Sequence, residues 1–179
     1  MSALIEAARA PDFAAEIVLV VSDEPGAPGL TKAREAGVAA EAIDFRAYPG
    51  KAAFEAALEA RLRAERAEIV CLAGFMRVLS PSFVDRWKGR TLNIHPSLLP
   101  NLRGLNTHNR ALCEGLAEHG CTVHFVTAEL DAGPIIVQAR VPVLPSDDAE
   151  ALAARVLTEE HRIYPAALDE VARSLKAPT

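Results

Sequence analysis

No apolar run in the 179-residue chain approaches the 18 or so residues that a membrane-crossing helix needs. The opening residues, MSALIEAARAPD, carry Glu6 and Asp12 and lack the basic start and apolar middle of a secretory signal. Paired cysteines are missing too. Cys71, Cys113 and Cys121 are odd in number and irregularly spaced, which argues against a disulfide framework and for a reducing, cytoplasmic setting. There is no block of like charges, and 19 basic against 24 acidic residues leave a net charge of −5. Broad binding to nucleic acid or to a membrane surface is disfavoured, although a local basic patch stays open. No repeat, low-complexity tract or linker divides the chain, and half of its residues are hydrophobic, enough for one domain with a sizeable core. Gly-x-Ser-x-Gly, Walker and Gly-x-Gly-x-x-Gly signatures are absent, so the sequence offers no serine elbow, phosphate loop or dinucleotide fingerprint.

What is present is an alternation of apolar runs and helical patterns. EIVLVVSD (16–23), AEAIDF (40–45), EIVCLAGF (68–75) and TLNIH (91–95) read as strands. GCTVHFVT (120–127) and PIIVQARVPV (134–143) follow, with connections short enough to be antiparallel additions. Helices are expected in the first ten residues, over 29–36, over 51–65 and over about 106–115. Ser80-Pro81 signals a capped start to another. Ser146-Asp147 is expected to cap a last helix running to about 173, with a bend at Pro165. The unbroken apolar run 68–75 suits a strand covered on both faces. Strands separated by helices predict an α/β protein with a mostly parallel sheet, and ligands in such folds bind beyond the carboxyl ends of the strands.

Asn93 and His95 lie at such an end, two residues apart, and so on one face. Alone, His95 reads equally as a loop cap bonded to a backbone carbonyl. An amide donor beside an imidazole can also hold a carbonyl oxygen and stabilise the oxyanion that forms on attack. Asp131, in ELDAGP, reads first as a turn residue. Near His95, its charge would favour the imidazolium and make a proton donor. His124 faces away from Val123 and Phe125, as a bonded core histidine or a pocket wall. His119, Cys121 and His124 do not converge as zinc ligands, because Cys121 and His124 point to opposite faces. Cys113 reads as a packing residue of a helix. Met76-Arg77-Val78-Leu79 follows the apolar run at another strand end, as core and surface or as pocket lining.

The segments LAGFMRVLSPSF, LNIHPSLLP, GLNTH, TVHFVTAELDAGPIIVQ and TEEHRIYP resemble the glycinamide ribonucleotide formyltransferases over nearly the whole chain. The resemblance implies a single domain, residues 1–179, with a Rossmann-like, mostly parallel sheet flanked by helices. It implies formyl transfer from 10-formyltetrahydrofolate to glycinamide ribonucleotide in purine synthesis, without a metal. Asn93, His95 and Asp131 would be catalytic. Met76, Arg77, Val78 and Leu79 would border the folate together with Asn93 and with Thr127, Ala128, Glu129, Leu130 and Asp131. Lys51 would stand for a basic folate-binding residue, and Glu160 would contact the ribonucleotide. Monomer and homodimer both stay open.

The start of the chain departs from that pattern. The family begins with an apolar strand and a glycine-rich phosphate loop, and Met1 aligns after both. The expectation is therefore a domain short at its amino end, with a gap in the hydrogen-bonded sheet. A start assigned too far downstream, a shortened chain and a relative that binds phosphate poorly each account for it. Asn106 stands where relatives often place histidine. The rival readings are a formyltetrahydrofolate hydrolase, a methionyl-tRNA formyltransferase and a catalytically silent folate-binding relative.

Overall fold

A computed structural model describes residues 1–177, and within them strands and helices alternate much as the apolar pattern predicts. The order is α1 (Ser2–Ala7), β1 (Val20–Ser22), α2 (Pro28–Glu35), β2 (Ala40–Ala42), α3 (Lys51–Ala64), β3 (Val70–Leu72), α4 (Pro81–Arg86), β4 (Thr91–His95), α5 (Thr107–Cys113), β5 (Glu118–Phe125), β6 (Ile135–Pro142) and α6 (Ala149–Lys176). Local chemistry sets several boundaries. Ser80 Oγ accepts from Phe83 N–H at 3.2 Å and opens α4 ahead of Pro81. Asn106 opens α5 at φ +56°, a left-handed conformation that asparagine tolerates better than most residues.

The strands form two sheets. β1 and β2 pair in parallel as one ribbon, and β3-β4-β5-β6 make the other. In the larger sheet only β3 and β4 are parallel, and β5 and β6 add antiparallel. The whole is thus an α/β fold with mixed rather than mostly parallel pairing.

The most apolar runs are the ones that depart furthest from expectation. Residues 16–23 yield only the three-residue β1, and 68–75 only the three-residue β3. Both strands are half-buried, where cover on both faces was expected of 68–75. The reason is that β1 pairs only with β2, and β3 only with β4. Between β1 and β3 lies a cavity of about 610 Å³ lined by both runs and by the last turns of α6.

The main core lies where α6 crosses β4–β6. Leu152, Val156, Ile163 and Leu168 pack there with Leu92, Val123 and Val141. The single Tyr164 O–H is shared between Leu72 O at 2.8 Å and Leu92 O at 3.1 Å, tying the helix to β3 and β4. A smaller cluster gathers Phe83, Trp87 and Leu79 under α4. Helix α6 is capped one residue past the Ser146-Asp147 signal, because Asp148 Oδ1 takes the Ala151 N–H at 2.8 Å. Asp147 is drawn instead to Leu144 N–H and the Arg155 guanidinium. The helix continues through Pro165 to Lys176. Among the described residues, no helix is long and apolar enough to cross a membrane.

Candidate active site

β4 forms over the predicted residues, and its alternation buries Leu92 while Asn93 and His95 share the other face. The antiparallel register sets Asn93 opposite His124 and His95 opposite Thr122. Thr122 then fixes the loop that follows His95. Its Oγ1 donates to Ser97 O at 2.6 Å and accepts from Leu99 N–H at 3.1 Å.

The turn joining β5 to β6 folds Asp131 back over this face. Asp131 adopts φ +49°, and its Oδ2 accepts from Gly104 N–H at 2.9 Å. The same oxygen lies 3.5 Å from His95 Nδ1, and Oδ1 lies 3.7 Å from His124 Nε2. Four side chains from three segments therefore close into one chain: Asn93, His124, Asp131, His95.

Hydrogen-bond roles follow from the fixed partners. His124 Nδ1 is 2.9 Å from Phe125 O, so the ring proton sits there and Nε2 accepts. Burial lowers the His124 pKa and keeps that ring neutral. Asn93 Nδ2 donates to His124 Nε2 at 3.2 Å, which sets its amide orientation and leaves its second N–H for another acceptor. His95 Nε2 lies 3.0 Å from Leu102 O, while its Nδ1 faces Asp131. Both ring nitrogens thus face acceptors, an arrangement that a doubly protonated ring satisfies. His124 is the site member that sequence reasoning left undecided. Its signal was the alternation in TVHFV, which turned it away from Val123 and Phe125.

The turn carrying Asp131 depends on Gly133, where a Cβ would stand 1.8 Å from Phe125 O. Gly133→Ala is expected to lower stability by about 3 kcal/mol, because a backbone carbonyl cannot yield as a flexible side chain would. Thermal unfolding checks this, and a midpoint within about 2 °C of the parent's would contradict it.

Behind His95, the buried His119 ring stacks edge-on against His108, with Nε2 3.1 Å from His108 Nδ1. Burial, reinforced by the neighbouring His108 and His95, brings the His119 pKa from 6.5 down to about 4. The unfolded chain therefore takes up a proton that the folded chain refuses. Stability is whole above pH 6.5 and falls as pH drops toward about 4, by roughly 3 kcal/mol from this group. His119→Gln should flatten that slope in urea unfolding, and an unchanged slope would exclude this origin.

The other sequence-predicted residues occupy neighbouring positions. Lys51 and Met76 to Leu79 come together around a second cavity of about 320 Å³, with Phe45 and Glu55 in its wall. Arg77 Nε is 2.5 Å from Asp23 Oδ2, and its guanidinium lies 3.8 Å above the Phe45 ring. The buried Glu55 carboxylate accepts from Ser80 N–H at 2.7 Å and from Ser80 Oγ–H. Leu72 pairs with Asn93, so this loop and the Asn93–His95 face leave adjacent strands at one end of the sheet. Thr127 to Leu130 form the exposed part of the turn ahead of Asp131, where Glu129 pairs with Arg103 at 2.7 Å. Glu160 lies apart on α6, near the Met1 amine, and burial raises its pKa. The thiols of Cys71 and Cys121 are pushed up to about 12 by burial, which makes them poor nucleophiles. Among the described residues, no three His, Cys, Asp or Glu side chains group to hold a metal.

The chain is similar to known proteins over nearly its whole length. The formyl transferase family matches residues 1–168. A phosphoribosylglycinamide formyltransferase of Escherichia coli (strain K12) is 46% identical over 165 residues, covering 92% of this chain and 78% of its own length. The trifunctional purine biosynthetic protein adenosine-3 of Gallus gallus is 49% identical over 172 residues, which cover 96% of this chain. The chain spans 17% of that relative's length. Among solved structures, phosphoribosylglycinamide formyltransferase from Brucella melitensis superposes with a TM-score of 0.93 at 52% identity, covering 100% of this chain and 91% of that one. Glycinamide ribonucleotide transformylase 1 from Symbiobacterium toebii gives 0.94 at 47% identity, covering 97% and 82%.

Proposed function

The chain belongs to the formyl transferase family, among the phosphoribosylglycinamide formyltransferases, and from that premise we propose that it moves a formyl group from 10-formyltetrahydrofolate to the amine of glycinamide ribonucleotide. The observation that carries this reading is the closed chain of Asn93, His124, Asp131 and His95, with one Asn93 N–H left to donate. The free amine attacks the formyl carbon, and negative charge develops on the formyl oxygen. Asn93 and the imidazolium of His95 stabilise that charge. For His95 Nε2–H to serve, the formyl oxygen takes the place that Leu102 O now fills as acceptor. Asp131 holds His95 doubly protonated and, with water, relays the amine's proton. Aligning amine and formyl carbon removes several kcal/mol of entropic barrier.

The folate lies along Met76 to Leu79 and Thr127 to Asp131, with Lys51 toward its anionic tail, and Glu160 meets the ribonucleotide. Exposed apolar side chains on the loops after β3 and β5 support this: Met76 is 71% exposed, Val78 55% and Leu130 52%. The setting is cytoplasmic. The deciding assay mixes the chain with both substrates and follows formylated ribonucleotide by mass spectrometry. Product formation is expected. Formate released at the same rate without ribonucleotide would instead identify a hydrolase.

A further inference from the structure

Gln138 is a polar residue within the largely apolar run PIIVQARVPV of β6. It stands directly opposite Thr122 on β5, and Thr122 stands directly opposite His95 on β4. Residues paired in this way share a face of the sheet, so the three form one row beside the loop that leaves β4. Gln138 Nε2 lies 2.9 Å from Leu99 O and 2.8 Å from Thr122 Oγ1. A carbonyl only accepts, so the amide nitrogen is the end that faces the loop, with one hydrogen for each partner.

This arrangement settles the Thr122 proton. Its Oγ1 receives both the Leu99 N–H and the Gln138 N–H. A hydroxyl has two acceptor sites and one hydrogen, so the hydrogen goes to Ser97 O at 2.6 Å. The loop is held at Ser97 O, at Leu99 N–H and at Leu99 O, and Ser97, Leu99 and Thr122 are all buried. Ser97 Oγ donates to Asn101 O at 2.7 Å, and Asn101 N–H donates to Leu98 O at 3.1 Å, which carries the constraint along to Leu102. Leu102 O is the acceptor that faces His95 Nε2 at 3.0 Å.

We propose that Gln138 is a positioning residue for the transfer. Through the Thr122 hydroxyl and the Leu99 carbonyl it sets where loop 97–102 stands over the His95 ring, and so the space in which a formyl oxygen meets Nε2–H. The inference rests on the formyl-transfer reading of the site. Gln138 acts through the loop and not on a reacting atom. A misplacement of about 1 Å can cost a rate about a hundredfold, and a half-buried side chain acting at one remove should cost less.

Two substitutions test this. Gln138→Glu keeps the length but offers acceptors where donors are needed, which sets a charged oxygen against Leu99 O and draws the Thr122 proton from Ser97 O. Gln138→Met keeps the bulk and removes both bonds. Each should lower kcat about tenfold with KM for both substrates within about twofold of the parent. Thr122→Val should behave alike, Thr122→Ser should retain most of kcat, and Gln138→Met combined with Thr122→Val should cost little more than Thr122→Val alone. Hydrogen exchange at the Leu99 amide, which is independent of activity, should be at least about tenfold faster in Gln138→Met. Variants that melt earlier but keep kcat within about twofold overturn the proposal, as does unchanged exchange at Leu99. If Gln138→Glu does not fold, Gln138→Met decides. An inactive parent chain overturns the reading of the reaction and this proposal with it, whereas equal turnover in an active parent and its variants overturns the proposal alone.

Discussion

His95→Ala is expected to reduce kcat for ribonucleotide formylation about a thousandfold while leaving KM for both substrates near the parent values. His95 is the side chain that can place an N–H on the formyl oxygen while carrying positive charge. Its contribution therefore grows as the oxyanion forms and is small in the ground state. Stability should fall by only about 1–2 kcal/mol, from the lost bond to Leu102 O and the small void. Steady-state assays on variant protein with a native circular dichroism spectrum separate the two effects. Turnover within a few-fold of the parent would remove His95 from the mechanism.

Asp131→Asn should lower kcat about a hundredfold, with the fold nearly intact. The new side chain keeps its shape, and its amide oxygen can still accept from Gly104 N–H. It loses the charge that faces His95 at 3.5 Å and His124 at 3.7 Å. Because Asp131 acts through His95, the double variant should be little worse than His95→Ala alone. Losses that multiply would show instead that the carboxylate works on the substrate independently of the imidazole.

Much of this site was legible in the sequence, for identifiable reasons. The segment 91–95 alternates between apolar and hydrogen-bonding side chains around Leu92 and Ile94, so the strand and the shared side of Asn93 and His95 followed from the period of two. Asp131 carried no such signal. Its position depends on a turn closing over another strand, and its local pattern is that of any turn aspartate, so only the family resemblance singled it out. His124 was ambiguous because alternation gives a face and not a partner, and its partner Asn93 lies 31 residues away. The run 68–75 read as a strand covered on both faces because hydrophobicity reports what a segment could bury, not what packs against it. The cap of α6 fell one residue past Asp147 because Asp147 and Asp148 are equally good caps on paper, and Arg155 claims the first.

The pairing of Glu55 with Ser80 has an outcome for sequence drift. One carboxylate from α3 receives both the amide and the hydroxyl of the residue that opens α4. The stretch carrying Met76 and Val78 is thereby moored at its far end, however its middle varies. Saturation mutagenesis should find a permissive rim bounded by a sharply intolerant anchor, and new ligand preferences should arise in that rim without unseating the helix behind it.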